Sequence, residues 1–133
     1  MHPRALITLL SDFGTQDAYV GSMKGALLSL NPQILPVDLT HEVPPQDIRA
    51  AALILASVAP CFPPGTIHLA VVDPGVGGSR RALAAHCLDQ FWVGPDNGLF
   101  HLIFHQDCLY VVRRQSSQLP HVIWIKTRIK HPV

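Results

Sequence analysis

Thr66-Ile67-His68-Leu69-Ala70-Val71-Val72-Asp73-Pro74-Gly75-Val76-Gly77-Gly78-Ser79-Arg80-Arg81 carries a mostly apolar run into an acid and then into a turn built of proline and three glycines. Two arginines follow at once, and a second apolar run, 82–87, comes after them. A carboxylate at the end of a buried strand, on a loop where backbone can approach a ligand closely, is where α/β sheets place their chemistry. Tight glycine turns would also let Arg80 fold back toward Asp73. The structural alternative is a glycine-rich turn whose Asp bonds its own backbone. The stretch alone does not choose between the two, so the elements on either side of it decide the fold.

Upstream, 5–10 is a short, nearly continuous apolar run suited to a strand buried on both faces. It ends in the acidic loop Ser11-Asp12-Phe13-Gly14-Thr15-Gln16-Asp17. Residues 18–30 then read as a helix, with Tyr19, Val20, Met23, Ala26, Leu27 and Leu30 at helical spacing. Asp17 is placed to cap its start, and Asn31-Pro32 stops it. A second strand, 33–39, ends at Asp38-Leu39-Thr40-His41-Glu42. After Pro44-Pro45, Gln46-Asp47 opens a second helix with Ile48, Ala51, Ala52, Leu55 and Ala56 on its apolar face. The run 66–72 is the third strand. Downstream, 81–87 and 91–93 read as strands joined by a turn at Leu88-Asp89-Gln90, and Gly94-Pro95-Asp96-Asn97-Gly98 is a turn cluster. A short helix over 99–105 and a last strand over 109–112 complete the pattern.

Strand–helix–strand–helix–strand alternation predicts an α/β layered sandwich with a largely parallel central sheet flanked by helices. Right-handed crossovers would gather Asp12, Asp17, Asp38, His41, Asp73, Arg80, Asp96 and Asn97 at one edge of that sheet. Lys24 and Arg81 read as solvated charges, and Tyr19, Phe91 and Trp92 as core or interface. The domain is expected to occupy 1–112. Residues 113–133 end on a basic stretch with no closing element, and they read as an aberrant tail outside the fold.

The 133 residues allow one ordinary domain. Hydrophobic residues make up 48% and charged residues 14%, with a mean hydropathy of +0.26. That predicts a surface partly covered by other subunits. No apolar run approaches the ~20 residues of a membrane helix, and 1–4 lead into too short a run for a signal peptide. A net charge of +1 offers no basic field for nucleic acid. Cys61, Cys87 and Cys108 are odd in number and widely spaced, so neither a disulfide framework nor a zinc site is expected, and a reducing, cytoplasmic setting is. No HExxH or HxH pair appears among eight histidines, so no metal is expected.

Four segments, taken in order, resemble a known family: Ser11–Asp17, Asp38–Ile48, Val72–Gly77 with Arg80, and Gly94–Leu99. Together they resemble the amino-terminal domain of the S-adenosyl-L-methionine (SAM) hydroxide adenosyltransferases, relatives of the fluorinases and chlorinases. The resemblance implies attack of water or hydroxide at C5′ of the ribose of SAM, a fluorinase/chlorinase-like adenosyltransferase and hydrolase chemistry giving adenosine and L-methionine. It implies Asp73 and Arg80 as catalytic residues that handle the nucleophilic water. It implies substrate binding by Asp12 at the ribose hydroxyls, by Asp17 at the methionine ammonium, and by Asn97. No cofactor is implied, since SAM is the substrate; a homotrimer is implied. Asp73-Pro74-Gly75 resembles the hydroxide branch more than the halogenases. The family's third catalytic residue, a histidine in a Phe-His-Gly-Arg-Asp-like segment, has no match here, and neither does its carboxy-terminal β-barrel domain. The chain therefore reads as a truncated half of a site. The alternatives to an active hydrolase are a catalytically silent fragment and a SAM- or adenosine-binding module that needs a partner domain.

Overall fold

The computed structural model describes residues 4–73, 81–104 and 108–115, the side chains of 109–115 excepted. Arg80 and the glycine turn, and most of the expected tail, lie outside these. The element order is β1 (Leu6–Ser11), α1 (Tyr19–Leu30), β2 (Leu35–Thr40), α2 (Ile48–Val58), a 3-10 turn (Ala59–Cys61), β3 (Ile67–Val71), β4 (Arg81–Cys87), β5 (Gln90–Pro95), α3 (His101–Phe104) and β6 (Cys108–Gln115). One six-stranded sheet runs in the order β2-β1-β3-β5-β4-β6. The β1–β2, β1–β3 and β3–β5 pairings are parallel, and β4 is antiparallel to both β5 and β6. This is the expected α/β sandwich with an antiparallel flank. The boundary expected after residue 112 falls inside β6.

Period-two alternation splits the core in two. Leu10, Ala70, Val72, Leu83, Ala85 and Trp92 face α2 and α3 and are buried with Leu55, Leu99, Phe100 and Ile103. Leu9, Ile7 and Ile34 face the other way, toward Met23 and Leu27 of α1. The small residues Ala51 and Ala52 let α2 lie close on the sheet. Gly94 has a specific reason to be glycine: a Cβ there would stand 2.5 Å from the Ala70 carbonyl oxygen and 3.0 Å from the Phe100 ring. Pro36 is tolerated inside β2 because β2 is an edge strand.

Three expectations are corrected. First, α1 begins at Tyr19 with Ala18 at its N-cap and no side-chain cap, so Asp17 does not cap it. The helix also buries no residue fully; Tyr19 and Leu30, expected on its inner face, are exposed, and only a narrower stripe meets the sheet. Second, Cys87 and Cys108 form a disulfide, leaving Cys61 as the exposed free thiol. Adjacent antiparallel strands place the two cysteines opposite each other, a pairing that spacing in the chain does not reveal. Third, Lys24 is paired with Asp38 at 2.7 Å rather than simply solvated, whereas Arg81 stays 55% exposed with the Asp96 carboxylate 3.8 Å away. The two aromatic residues of β5 divide between core and surface: Trp92 is fully buried, while Phe91 is 43% exposed on the opposite face.

Candidate functional site at the carboxyl ends of the parallel strands

β1 sits between β2 and β3, and the chain leaves β1 toward β2 but leaves β3 toward β5. The strand order therefore reverses between β1 and β3. At such a reversal open α/β sheets bind ligands, in the crevice outside the carboxyl ends of the strands. Ser11 pairs with Val71 across β1 and β3, so Asp12 and the Val72-Asp73 exit leave the sheet side by side. Both acids are half-buried.

Asp12 does not bond its own turn. Its Oδ2 accepts the Gln46 backbone N–H at 2.8 Å, from the loop after β2. Gln46 stands at φ +64, a strained conformation for a residue with a Cβ, and the Asp12 carboxylate holds it there. Two more bonds join the same loops: Gly14 N–H donates to the His41 carbonyl at 2.8 Å, and the Thr15 hydroxyl donates to Glu42 Oε1 at 3.1 Å. Asp17, by contrast, is exposed at the outer end of the β1–α1 loop.

Beneath these loops runs a chain of polar side chains. Ser11 Oγ lies 2.6 Å from His41 Nδ1, and His41 Nε2 donates to Asp38 Oδ1 at 2.8 Å. Lys24 Nζ donates to Asp38 Oδ2 at 2.7 Å. The hydrogen bond from Lys24, with the His41 contact adding to it, holds the Asp38 carboxyl below its usual value against the opposing effect of burial. A register shift in β1–β2, where Leu9 faces Asp38 but Leu10 faces Thr40, bends the end of β2 and lets Asp38 and His41 meet.

On the other side of the crevice Asn97 ties two strand ends together. Its Nδ2 donates to the Val72 carbonyl at 2.8 Å, and its Oδ1 accepts Leu99 N–H at 3.1 Å. Asp96 N–H donates to the Arg81 carbonyl at 2.8 Å, with the Arg81 guanidinium 3.8 Å from the Asp96 carboxylate. The backbone leading into Asp73 is thus fixed from β5. The structure brings Asp12, Asp38, His41, Asp73, Asp96 and Asn97 to one end of the sheet; the position of Arg80 falls outside the described residues. The Lys24 link was missed in the sequence, where its only signal was a cation on the first crossover helix. Among the described residues no cluster of His, Cys, Asp or Glu could hold a metal ion, and no helix is long and apolar enough to cross a membrane.

Both the sequence and the fold have known relatives. The chain is 50% identical over 102 residues to the (R)-S-adenosyl-L-methionine hydrolase of Thermus thermophilus, covering 76% of this chain and 39% of that one. It is 46% identical over 99 residues to the enzyme of the same name from Salinispora tropica, covering 74% and 38%. A fluorinase from Actinoplanes is more distant, at 33% over 79 residues, covering 59% and 26%. The fold matches crystal structures of a conserved hypothetical protein from Thermus thermophilus and an uncharacterised conserved protein from Thermotoga maritima. The TM-scores are 0.74 and 0.76 at 45% and 36% identity, covering 82% and 80% of this chain and 46% and 42% of those. The chain thus spans less than two fifths of the length of these two hydrolases. Residues 7–125 match the SAM hydroxide adenosyltransferase N-terminal domain, and the chain belongs to that family.

Proposed function

We propose that this domain supplies the amino-terminal half of a site that hydrolyses SAM to adenosine and L-methionine. The observation that carries the reading is the pair of half-buried carboxylates, Asp12 and Asp73, side by side at the switch point of a chain whose relatives are named SAM hydrolases. The water oxygen forms a bond to C5′ as the C5′–S bond breaks. The bonding pair leaves on sulfur, which departs as a neutral thioether and needs no proton. The proton lost by the water passes to the Asp73 carboxylate and then to solvent. Arg80 stabilises the hydroxide character of the nucleophile. Asp12 accepts from the ribose diol, since a carboxylate offers several lone pairs to two hydroxyls. Asp17 pairs with the methionine ammonium. Asn97 lines the substrate side of the crevice while fixing the Val72 carbonyl beside Asp73. Most of the acceleration then comes from in-line placement of a poorly hydrated nucleophile.

No cofactor enters this reading, since SAM is the substrate. A homo-oligomer, trimeric as the family resemblance implies, accords with the exposed Leu28, Leu30 and Tyr19 of α1 and Phe91 of β5. The expectation of a cytoplasmic setting rests on the odd, widely spaced cysteines, and the Cys87–Cys108 disulfide argues the other way.

The test is adenosine release from SAM by the 133-residue chain beside an Asp73→Asn variant, with thermal shifts in saturating adenosine measured in parallel. Release by the wild type that Asp73→Asn abolishes supports the reading. Equal release by both overturns the role of Asp73. A thermal shift without product makes the chain a nucleoside-binding module, and neither product nor shift overturns the site itself.

A further inference from the structure

The polar chain Lys24–Asp38–His41–Ser11 is more elaborate than the fold requires. Its four members come from the first crossover unit: Ser11 ends β1, Lys24 lies on α1, Asp38 is in β2 and His41 is the residue after β2. His41 is only 5% exposed, and both of its ring nitrogens are engaged. Ser, His and Asp in this order have the form of a nucleophile, its base and the group that orients the base. Ser11 is fully buried, however, and its oxygen already accepts the Phe13 N–H at 3.3 Å, so no substrate can reach it. That last bond is informative, because it spans Asp12: the hydroxyl of Ser11 fixes the backbone on both sides of the carboxylate.

We infer that Lys24 and Asp38 are remote positioning residues for Asp12, acting through the ring of His41 and the hydroxyl of Ser11. The inference rests on the reading of Asp12 as the ribose-binding carboxylate. Asp38 belongs to an edge strand and its side chain is 42% exposed; left alone, its carboxylate would turn to water. Lys24 of α1, its side chain 32% exposed, holds one oxygen through its ammonium so that the other faces His41. The carboxylate only accepts, so Nε2 carries a hydrogen and the ring is fixed in one orientation. The ring orients Ser11. The carbonyl of His41 meanwhile anchors Gly14 N–H, and the loop beyond it presents Gln46 N–H to Asp12. Asp12 is thereby gripped from below by Ser11 and from the side by Gln46, and both grips depend on where His41 sits.

The experiment uses the full 133-residue chain, labelled with nitrogen-15, as wild type, Lys24→Met, Asp38→Asn and the double variant. Methionine keeps most of the stem of lysine and removes the charge. Amide exchange at Gly14 and Gln46 should quicken about tenfold in each single variant, the scale of losing a charge-assisted hydrogen bond to local opening. Exchange at Ala85 and Trp92, in β4 and β5, should not change. The double variant should be no worse than Asp38→Asn alone, since the two groups act in series. Adenosine and 2′-deoxyadenosine are the ligand probes. The wild type should favour adenosine, and the preference should narrow several-fold in Lys24→Met; a merely structural role would weaken both ligands alike. Unchanged exchange at Gly14 and Gln46 overturns the inference. So does an intact preference for the 2′-hydroxyl in the variants. A wild type that binds neither nucleoside, but whose variants show the faster exchange, overturns the reading of Asp12 as a ribose site while the coupling of Lys24 to the two loops stands.

Discussion

His68, the second residue of β3, has no solvent contact, and its surroundings define one protonation state. The amide nitrogen of Gln90 donates to the carbonyls of Ala59 and Phe62, so its Oε1 faces His68 Nε2 as an acceptor at 3.1 Å. Nε2 therefore carries the hydrogen, and Nδ1 accepts from the Thr8 hydroxyl at 2.6 Å. The ring stacks on Trp92 at 4.3 Å. A neutral imidazole satisfies every group, whereas a second proton would turn the Thr8 hydroxyl into an acceptor and leave a buried charge whose hydrogen-bond partners, Thr8 and Gln90, include no carboxylate. Burial accordingly lowers the pKa of His68, with the Gln90 bond opposing. The unfolded chain takes up this proton near pH ~6.5, and the folded chain only at lower pH. Below about pH 6.5 the unfolded state thus binds more protons, and stability falls as pH drops. Urea midpoints measured from pH 8 to pH 5 should decline, and His68→Gln should flatten the decline while costing stability throughout. At Gly94 the expectation is steric: Gly94→Ala should cost about 1–3 kcal/mol by overpacking, read as a lower urea midpoint with an unchanged slope. Neither residue could be found from sequence, because the groups that define them lie on other strands. His68 reads in the sequence only as one polar residue in an apolar run.

The two crossover loops show how far local sequence reaches. Asp17 and Asp47 both precede a helical pattern, and both look like caps. Only Asp47 is one: its Oδ1 accepts Ala50 N–H at 2.9 Å. The difference lies in the loops, since the tie between Gly14 and His41 draws the first loop over β2 and the helix starts two residues after Asp17. Asp47→Ala should therefore cost about 1 kcal/mol, and Asp17→Ala should leave stability within about 0.5 kcal/mol, both measured by urea denaturation. The hairpin between β4 and β5 gives an expectation of the opposite sign. Leu88 and Asp89 both stand at φ +57 in a two-residue turn, a conformation that suits Asn-Gly. Replacing the pair, Leu88→Asn with Asp89→Gly, relieves left-handed backbone strain and should raise the midpoint by the equivalent of about 1 kcal/mol, net of the glycine's entropy cost. The strands and helices were legible because their apolar periods are local. The face that α1 buries was not, since it depends on how one crossover helix rests across β1 and its neighbours.

At the scale of the whole molecule the sheet divides by direction and by task. The four parallel strands end together and carry Asp12, His41, Asp73 and Asn97, which is why their convergence could be argued from the order of elements. The bonds that aim those residues could not, because they follow from the register of β1 against β2 and of β3 against β5. The antiparallel flank holds the other end of the sheet. Cys87 closes β4 opposite Cys108 at the start of β6, and Cys87 also pairs with Gln90, the first residue of β5, so the disulfide lies at the end remote from the crevice. Three scattered cysteines gave no sign of it, since the pairing depends on a register set by strands far apart in the chain. The link closes a loop of 21 residues in separation, worth about 3 kcal/mol in lost unfolded-state entropy by chain-entropy reckoning. Thiol titration of the denatured, unreduced chain should find one thiol, Cys61, and three after reduction. Reduction, or Cys108→Ser, should lower the urea midpoint markedly. It should leave adenosine affinity unchanged, because the loops that bear Asp12 and Asp73 are joined to β2 and β5 by bonds the disulfide does not touch. A loss of affinity on reduction would mean that the flank and the crevice move as one unit. Three thiols before reduction would mean that β6 is held to β4 by its strand pairing alone.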